Sequence, residues 1–368
     1  MKVMFDFTAR QTEAPDRVAS LSPDAQAALA VYPLERTMGY GVNYSDAVEL
    51  RARVLQGESW QSAAETMAEI CQARAATAGT VTQVAYLRRA SALVRMAQAM
   101  MMEDTDERRT IFARAADLYA QAAELAGDCE RVLINTTDKP LAGWMFPAVN
   151  EPVAAVIVIG GTEGWAMDFD CLGHALATRG IHALMLDAPG QGETRFTHGH
   201  TLSADWRSAF SSAVDYLEDR AKGLPLGIIG NSMGGSLAMA YAAGDPRIRA
   251  CCNNGGPFAP WMAPTESPYF AKIMAFCGVE TAAEATEVLK SVTPKEAGIN
   301  ADYPLLFLHG AEDHLISNPV AQMLYDGTPT EDIRMVTFSD GDHCLYRHRD
   351  DRDFLIADWT RARLVGRD

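Results

Sequence analysis

Hydrophobic residues follow two different periods along this chain of 368 residues. In the first third they recur every three or four positions, which is typical of amphipathic helices. The clearest run is Ile111, Ala115, Leu118, Ala122 and Leu125. This period predicts four long helices, at about 44–55, 59–78, 80–102 and 106–126.

The last of these helices has recognisable end signals. Asp104 and Glu107 fit a capping box before its first turn, and Gly127 fits the left-handed position that commonly ends a helix. We therefore expect the helical region to end near residue 128.

Beyond residue 128 the pattern changes to short apolar runs of strand length, separated by helical stretches. We expect strands at about 131–135, 142–147, 153–159, 183–186, 226–229, 248–253, 303–310 and 333–338. The first two should form an antiparallel hairpin. Alternation of apolar runs with helices predicts an α/β fold with a mostly parallel sheet and helices on both of its faces.

The chain should therefore contain two parts. Residues 1–128 would form a helical domain that acts as a lid or a dimerisation surface, and residues 129–368 a catalytic domain. A segment at about 257–300 lies between two predicted strands and has its own helical pattern, so we expect it to be a lid insertion over the site.

The most specific chemical signal is Gly-x-Ser-x-Gly at Gly230–Gly234. It follows an apolar strand and precedes a helix of small residues, which is the context of a nucleophile elbow. This predicts that Ser232 is a nucleophile, with a glycine-rich turn of no chemical role as the alternative.

An acid and a histidine follow Ser232, each just after a predicted strand. Asp313 and His343 have the order Ser–Asp–His, and parallel sheets place their chemistry at these strand ends. His343 would act as general base and Asp313 would orient its imidazole. Glu312 remains an alternative acid, and Asp342 lies next to the histidine.

An oxyanion hole should be built from two backbone N–H groups. One would belong to Met233, directly after the serine, and the other to Thr162 or Gly161 in the loop after the strand at 153–159. Glu163 in this loop is unusual, because a carboxylate would face developing negative charge. It is either paired with a base or functional.

These motifs resemble the α/β-hydrolases, as does Asp187-Ala188-Pro189-Gly190-Gln191-Gly192. With its helical first third, the chain is similar to the branch containing 2,6-dihydroxypseudooxynicotine hydrolase, fungal polyketide-shortening hydrolases and fermentation–respiration-switch-type proteins. The resemblance implies hydrolysis of a carbon–carbon bond beside a ketone, or of an ester or lactone, and a functional role for Glu163. Acyl transfer, or binding without catalysis, are the further alternatives.

The substrate should be a small aromatic or polyketide-like molecule, with Trp165, Trp261 and Phe258 as candidate pocket walls. The net charge of −16 disfavours nucleic acid and anionic membranes as partners. Seven cysteines without Cys-x-x-Cys spacing, and a start without signal-peptide character, predict a cytoplasmic protein. No cofactor or metal motif is present, so we expect neither, and the helical region could mediate a homodimer.

Overall fold

A computed structural model of the protein describes residues 14–267, 269–293, 303–328 and 330–366. Its first third is helical. The helices are α1 (Pro15–Ala19), α2 (Pro23–Val31), α3 (Leu34–Gly39), α4 (Tyr44–Leu55), α5 (Trp60–Ala75), α6 (Thr80–Ala97) and α7 (Asp106–Ala126). Helices α5, α6 and α7 pack side by side around an apolar core that is rich in alanine.

The ends of α7 follow capping rules, with one correction to the expected N-cap. The hydroxyl of Thr105, not the carboxylate of Asp104, accepts the hydrogen bond from the backbone N–H of Arg108. Gly127 ends the helix with φ +64°, as predicted. The prediction of Asp104 as the cap was wrong because its carboxylate binds two arginines instead.

The rest of the chain is built on one eight-stranded sheet. Its strands are β1 (Glu130–Ile134), β2 (Leu141–Phe146), β3 (Ala154–Ile159), β4 (Ile181–Asp187), β5 (Leu226–Asn231), β6 (Ile248–Asn254), β7 (Leu305–Gly310) and β8 (Ile333–Phe338). Their order across the sheet is β1-β2-β4-β3-β5-β6-β7-β8, with β1 and β2 antiparallel to their neighbours and the others parallel.

Helices cover both faces of this sheet. Between the strands lie α8 (Asp170–Ala177), α9 (Gly192–Phe196), α10 (Trp206–Arg220), α11 (Met233–Ala242), α12 (Phe270–Cys277), α13 (Ala282–Lys290) and α14 (Asn318–Gly327), and α15 (Arg349–Leu364) follows β8. Strands β2, β3 and β5 are buried on both faces, which explains their continuous apolar sequences. The predicted α/β fold is confirmed.

The segment expected to be an insertion contains a short 3-10 turn at Pro260–Met262, followed by α12 and α13. Residues 268 and 294–300 of this predicted region lie outside the described residues. None of the described helices is long and apolar enough to cross a membrane.

Strands β3, β5, β6 and β7 run parallel to one another. The loops that follow these four strands therefore lie at the same edge of the sheet.

Candidate active site

Ser232 stands on a sharp turn between β5 and α11. Its backbone has φ +52° and ψ −124°, a conformation that non-glycine residues rarely adopt. A Cβ on Gly230 would overlap the carbonyl of Gly234, and one on Gly234 would overlap the carbonyl of Gly160. The two glycines of the motif are therefore required by close backbone packing, which holds the serine in its strained position.

His343 lies between Ser232 and Asp313. Its Nε2 is 2.9 Å from the Oγ of Ser232, and its Nδ1 is 2.8 Å from Oδ2 of Asp313. Asp313 also accepts hydrogen bonds from the backbone N–H groups of Leu315 and Ile316, at 2.8 and 2.9 Å. Burial alone would raise the pKa of Asp313, but His343 and these N–H groups outweigh it and lower the pKa.

The alternative acids have other partners. Glu312 is exposed and forms an ion pair with Arg347. Asp342 accepts a hydrogen bond from the backbone N–H of the same arginine, at 3.0 Å. The structure thus brings Asp313, rather than either neighbour, to the imidazole of His343.

The loop that carries His343 is fixed by unusual backbone geometry. Cys344 and Leu345 have φ +57° and +55°. The side chain of Asn254 donates to the carbonyl of Cys344 at 3.1 Å and to Oδ1 of Asn231 at 2.7 Å, so it ties this loop to the nucleophile turn. Sequence reasoning missed Asn254, because its contacts join positions far apart in the chain.

The charge environment of His343 favours its protonated form. Burial alone would lower the pKa of this imidazole. The adjacent thiol of Cys344 and the carboxylate of Asp313 outweigh burial and raise the pKa above its ordinary value.

The loop of residues 160–165, here called the oxyanion loop after the role predicted for Gly161 or Thr162, lies directly against the serine. A Cβ on Gly161 would lie 3.0 Å from the Cβ and 3.6 Å from the Oγ of Ser232. Thr162 is buried, and Met233 is the first residue of α11, where backbone N–H groups have no partner within the helix. Met233 and Gly161 thus lie next to the serine, and Thr162 follows Gly161 in the chain.

Gln191, from the Asp187–Gly192 turn, supports the oxyanion loop. Its Nε2 donates to the carbonyls of Gly160 and Gly161, at 2.6 and 2.7 Å. These two hydrogen bonds attach the oxyanion loop to the Asp187–Gly192 turn. The sequence motif contained this residue but gave no sign of the contact.

The side chain of Glu163 is only 7% exposed and is surrounded by positive charge. Its Oε2 forms ion pairs with Arg108 and, at 3.3 Å, with Lys272, and its Oε1 lies 3.6 Å from Arg195. Burial would raise the pKa of Glu163, but Lys272, Arg108 and Arg195 outweigh it, and the pKa is lowered. The carboxylate is therefore ionised near neutral pH and is not poised to donate a proton.

The three proposed pocket residues lie in different surroundings. Trp165 is buried with edge-to-face contacts to Phe112 and Phe196, and it lines a small cavity with Glu163. Phe258 is partly buried and packs against the core near Gly327. Trp261 is 39% exposed. Of the three, Trp165 lies in the oxyanion loop itself.

The described residues include no group of three or more His, Cys, Asp or Glu side chains placed to hold a metal ion. All the cysteines, Cys344 included, are free thiols. The arrangement at Ser232 places a serine hydroxyl, an imidazole and a carboxylate in contact, and can support attack on a carbonyl carbon.

Comparison with known proteins connects this geometry to hydrolases. Residues 150–276 match the family described as serine aminopeptidase, S33. The chain is 27% identical over 334 residues to the 2,6-dihydropseudooxynicotine hydrolase of Paenarthrobacter nicotinovorans. That similarity covers 88% of this chain and 90% of the relative.

Solved structures give the same result. The crystal structure of 2,6-dihydroxy-pseudo-oxynicotine hydrolase superposes with a TM-score of 0.77 at 27% identity. It covers 90% of this chain and 96% of that one, so the helical region is shared as well. AbyA5, at 19% identity and a TM-score of 0.68, shares the fold over 82% of this chain and 88% of its own.

Proposed function

We propose that this chain, an α/β-hydrolase of the branch that contains 2,6-dihydroxypseudooxynicotine hydrolase, cleaves a carbon–carbon bond beside a ketone in a small aromatic or polyketide-like molecule. The observation that carries the proposal is the line of contacts from Ser232 through His343 to Asp313, with distances of 2.9 and 2.8 Å. Similarity to the nicotine-derivative hydrolase over nearly the whole chain supports the choice of bond.

In the proposed reaction the Oγ of Ser232 attacks the ketone carbon while His343 Nε2 accepts its proton. The carbonyl oxygen becomes an oxyanion, which the N–H of Met233 and the N–H of Thr162 or Gly161 stabilise. The carbon–carbon bond then breaks, its electron pair leaves with the departing carbon, and the imidazolium of His343 returns the proton to that carbon. Water, activated by His343, releases the acyl group from the serine as a carboxylic acid.

Asp313 holds His343 through its Nδ1–H and stabilises the imidazolium that forms between these steps. Its lowered pKa keeps the carboxylate ionised and able to accept this hydrogen bond. The proton for the leaving carbon thus comes from His343, since Glu163 is already deprotonated.

Hydrolysis of an ester or lactone is the second candidate, and the ionised state of the Glu163 carboxylate favours it. A carbanion leaving group benefits from a second proton source, whereas an alkoxide can be protonated by His343 alone. The ion pairs of Glu163 with Arg108 and Lys272 leave no such second source at that position.

The helical region and the insertion are proposed to cover the site together. Lys272 on α12 donates from Nζ to the carbonyl of Ala99 just after α6, at 2.8 Å, and also contacts Glu163. One insertion side chain therefore touches both the helical region and the oxyanion loop, as a shared cover requires.

A substrate panel tests the proposal. Short p-nitrophenyl esters, lactones and aryl 1,3-diketones are incubated with the protein and with Ser232→Ala, and the products are identified by mass spectrometry. We expect cleavage of the diketones to two fragments by the unaltered protein alone. Turnover of any substrate by Ser232→Ala at the rate of the unaltered protein refutes the nucleophile assignment, and cleavage restricted to esters favours the second candidate.

A further inference from the structure

Two arginines of the helical region bind carboxylates within or directly after the oxyanion loop. Arg95 on α6 donates from Nε to Oδ1 of Asp168, at 2.7 Å. The other oxygen of Asp168 accepts the backbone N–H of Trp165, at 2.8 Å. A single carboxylate thus connects α6 to the last residue of the loop, and Arg95 also donates to the carbonyl of Tyr40 at 3.2 Å.

Arg108 on α7 makes the second connection. Its Nη2 binds Glu163, in the middle of the oxyanion loop. Its Nε donates to Oε1 of Gln98 at 2.7 Å, and its Nη1 lies 3.3 Å from Asp104. The guanidinium is therefore fixed by its own helical region before it reaches the loop.

Both ion pairs are largely shielded from solvent. The side chains of Arg95, Asp168, Arg108 and Glu163 are exposed by 4%, 4%, 0% and 7%. Because an isolated charge is costly in such surroundings, removing Arg95 leaves Asp168 without its cation and favours movement of the loop. Removing Arg108 leaves Glu163 with Lys272 and Arg195, at 3.3 and 3.6 Å, so its carboxylate is no longer held from α7. The same contacts across an exposed surface would be weak and easily replaced by water.

The loop held in this way lies against the nucleophile. Gly161 approaches Ser232 so closely that a single added carbon would lie 3.0 Å from its Cβ. A displacement of about 1 Å in a catalytic group can cost about a hundredfold in rate. The rate of catalysis should therefore depend on the position of the loop, although neither arginine is expected to touch the substrate.

We propose that Arg95 and Arg108 are positioning residues, which set the oxyanion loop against Ser232 through Asp168 and Glu163. The helical region thus completes the active site in addition to covering it. This inference rests on the proposed function, because the placement of the loop matters only if Ser232 is acylated.

The test measures two reactions of the full chain. One is steady-state hydrolysis of a p-nitrophenyl ester, which separates kcat from KM. The other is the rate at which a fluorophosphonate probe labels the serine, a reaction that develops the same negative charge in the oxyanion hole. The variants are Arg108→Met, Arg108→Lys, Arg95→Met and Glu163→Gln.

Arg89→Met is the matched control. Arg89 also lies on α6 and binds the mostly buried carboxylate of Asp46 with two hydrogen bonds, at 2.8 and 2.6 Å, but this pair lies within the helical region. Thermal unfolding of every variant separates lost stability from lost rate.

We expect Arg108→Met and Arg95→Met to lower kcat and the labelling rate by about 10- to 100-fold, with KM changed less than about threefold. Arg108→Lys should restore part of kcat, and Arg89→Met should lower the melting temperature without lowering kcat. If Arg108→Met does not fold, Glu163→Gln tests the same contact from its other side. We expect Glu163→Gln to lower kcat about tenfold.

Unchanged kcat in the folded Arg108→Met and Arg95→Met variants overturns the inference, as does a Glu163→Gln variant as fast as the unaltered protein. Losses of equal size in Arg89→Met also overturn it, because they show a general effect of unfolding. Labelling of the unaltered protein that persists in Ser232→Ala refutes the proposed function itself, whatever the arginine variants do.

Discussion

Asp313 and His343 are joined by a 2.8 Å hydrogen bond. Glu312, the residue just before Asp313, instead forms an ion pair with Arg347 at the surface. Two adjacent carboxylates therefore have different environments. The contact with the imidazole supports the proposal that Asp313, rather than Glu312, orients the base.

Exchanging each carboxylate for its amide tests this difference. Asp313→Asn should lower kcat by about 10³- to 10⁴-fold, because an amide no longer favours the required tautomer of His343. Glu312→Gln should stay within about twofold, since an exposed ion pair contributes little. Ester hydrolysis by the purified variants is the measurement, and the opposite ranking would make Glu312 the acid.

The pH dependence of kcat/KM should follow the titration of His343. A general base acts only when deprotonated, so activity should rise as the pH increases through its pKa. Because this pKa is raised, the midpoint should lie above the ordinary value of 6.5. A profile measured from pH 5 to 10 with a neutral ester gives the midpoint directly.

Cys344→Ser should move that midpoint to lower pH. The ionisable thiol contributes to the raised pKa of His343, and the hydroxyl of serine keeps a donor for the carbonyl of Asn254. An unchanged midpoint would assign the raised pKa to Asp313 alone.

Gly161→Ala should slow catalysis without unfolding the protein. The added methyl carbon would lie 3.0 Å from Ser232 Cβ, so the oxyanion loop or the serine must shift by a few tenths of an ångström. We expect kcat to fall by about tenfold or more. Gly79→Ala is the control, because an added carbon there meets nothing within 4 Å; equal kcat values for the two variants would contradict this reading.

Asp187 should make stability depend on pH. Burial raises its pKa to about 7, although the N–H groups of Ala166 and Glu193 act in the opposite direction. With the pKa higher in the folded than in the unfolded chain, its contribution to stability is full below about pH 4 and is lost as the pH rises through about 7.

Urea unfolding of the unaltered protein and of Asp187→Asn, at pH 5 and pH 8, measures this effect. The difference in unfolding free energy between them should shrink by more than about 1 kcal/mol at the higher pH. A difference that stays constant would mean that Asp187 has the same pKa in both states.

Much of the architecture could be predicted from local sequence, because strands and helices differ in hydrophobic period. Helix α7 and strand β8 have the predicted bounds, and the order of elements identified the fold. The prediction of Asp104 as the cap of α7 is wrong because a residue far away in the chain engages its carboxylate. Its carboxylate instead binds Arg195, which is 91 residues away, at 2.7 Å.

Sequence alone determined that a serine lies on a strained turn between a strand and a helix, since Gly230 and Gly234 encode that turn within five residues. It also placed an acid and a histidine after later strands. Tertiary structure alone decided that the carboxyl group of Glu163 is ionised. The cations that ionise it come from positions 108, 195 and 272, and the electrostatic effect of a charge depends on distance in space, which no local pattern records.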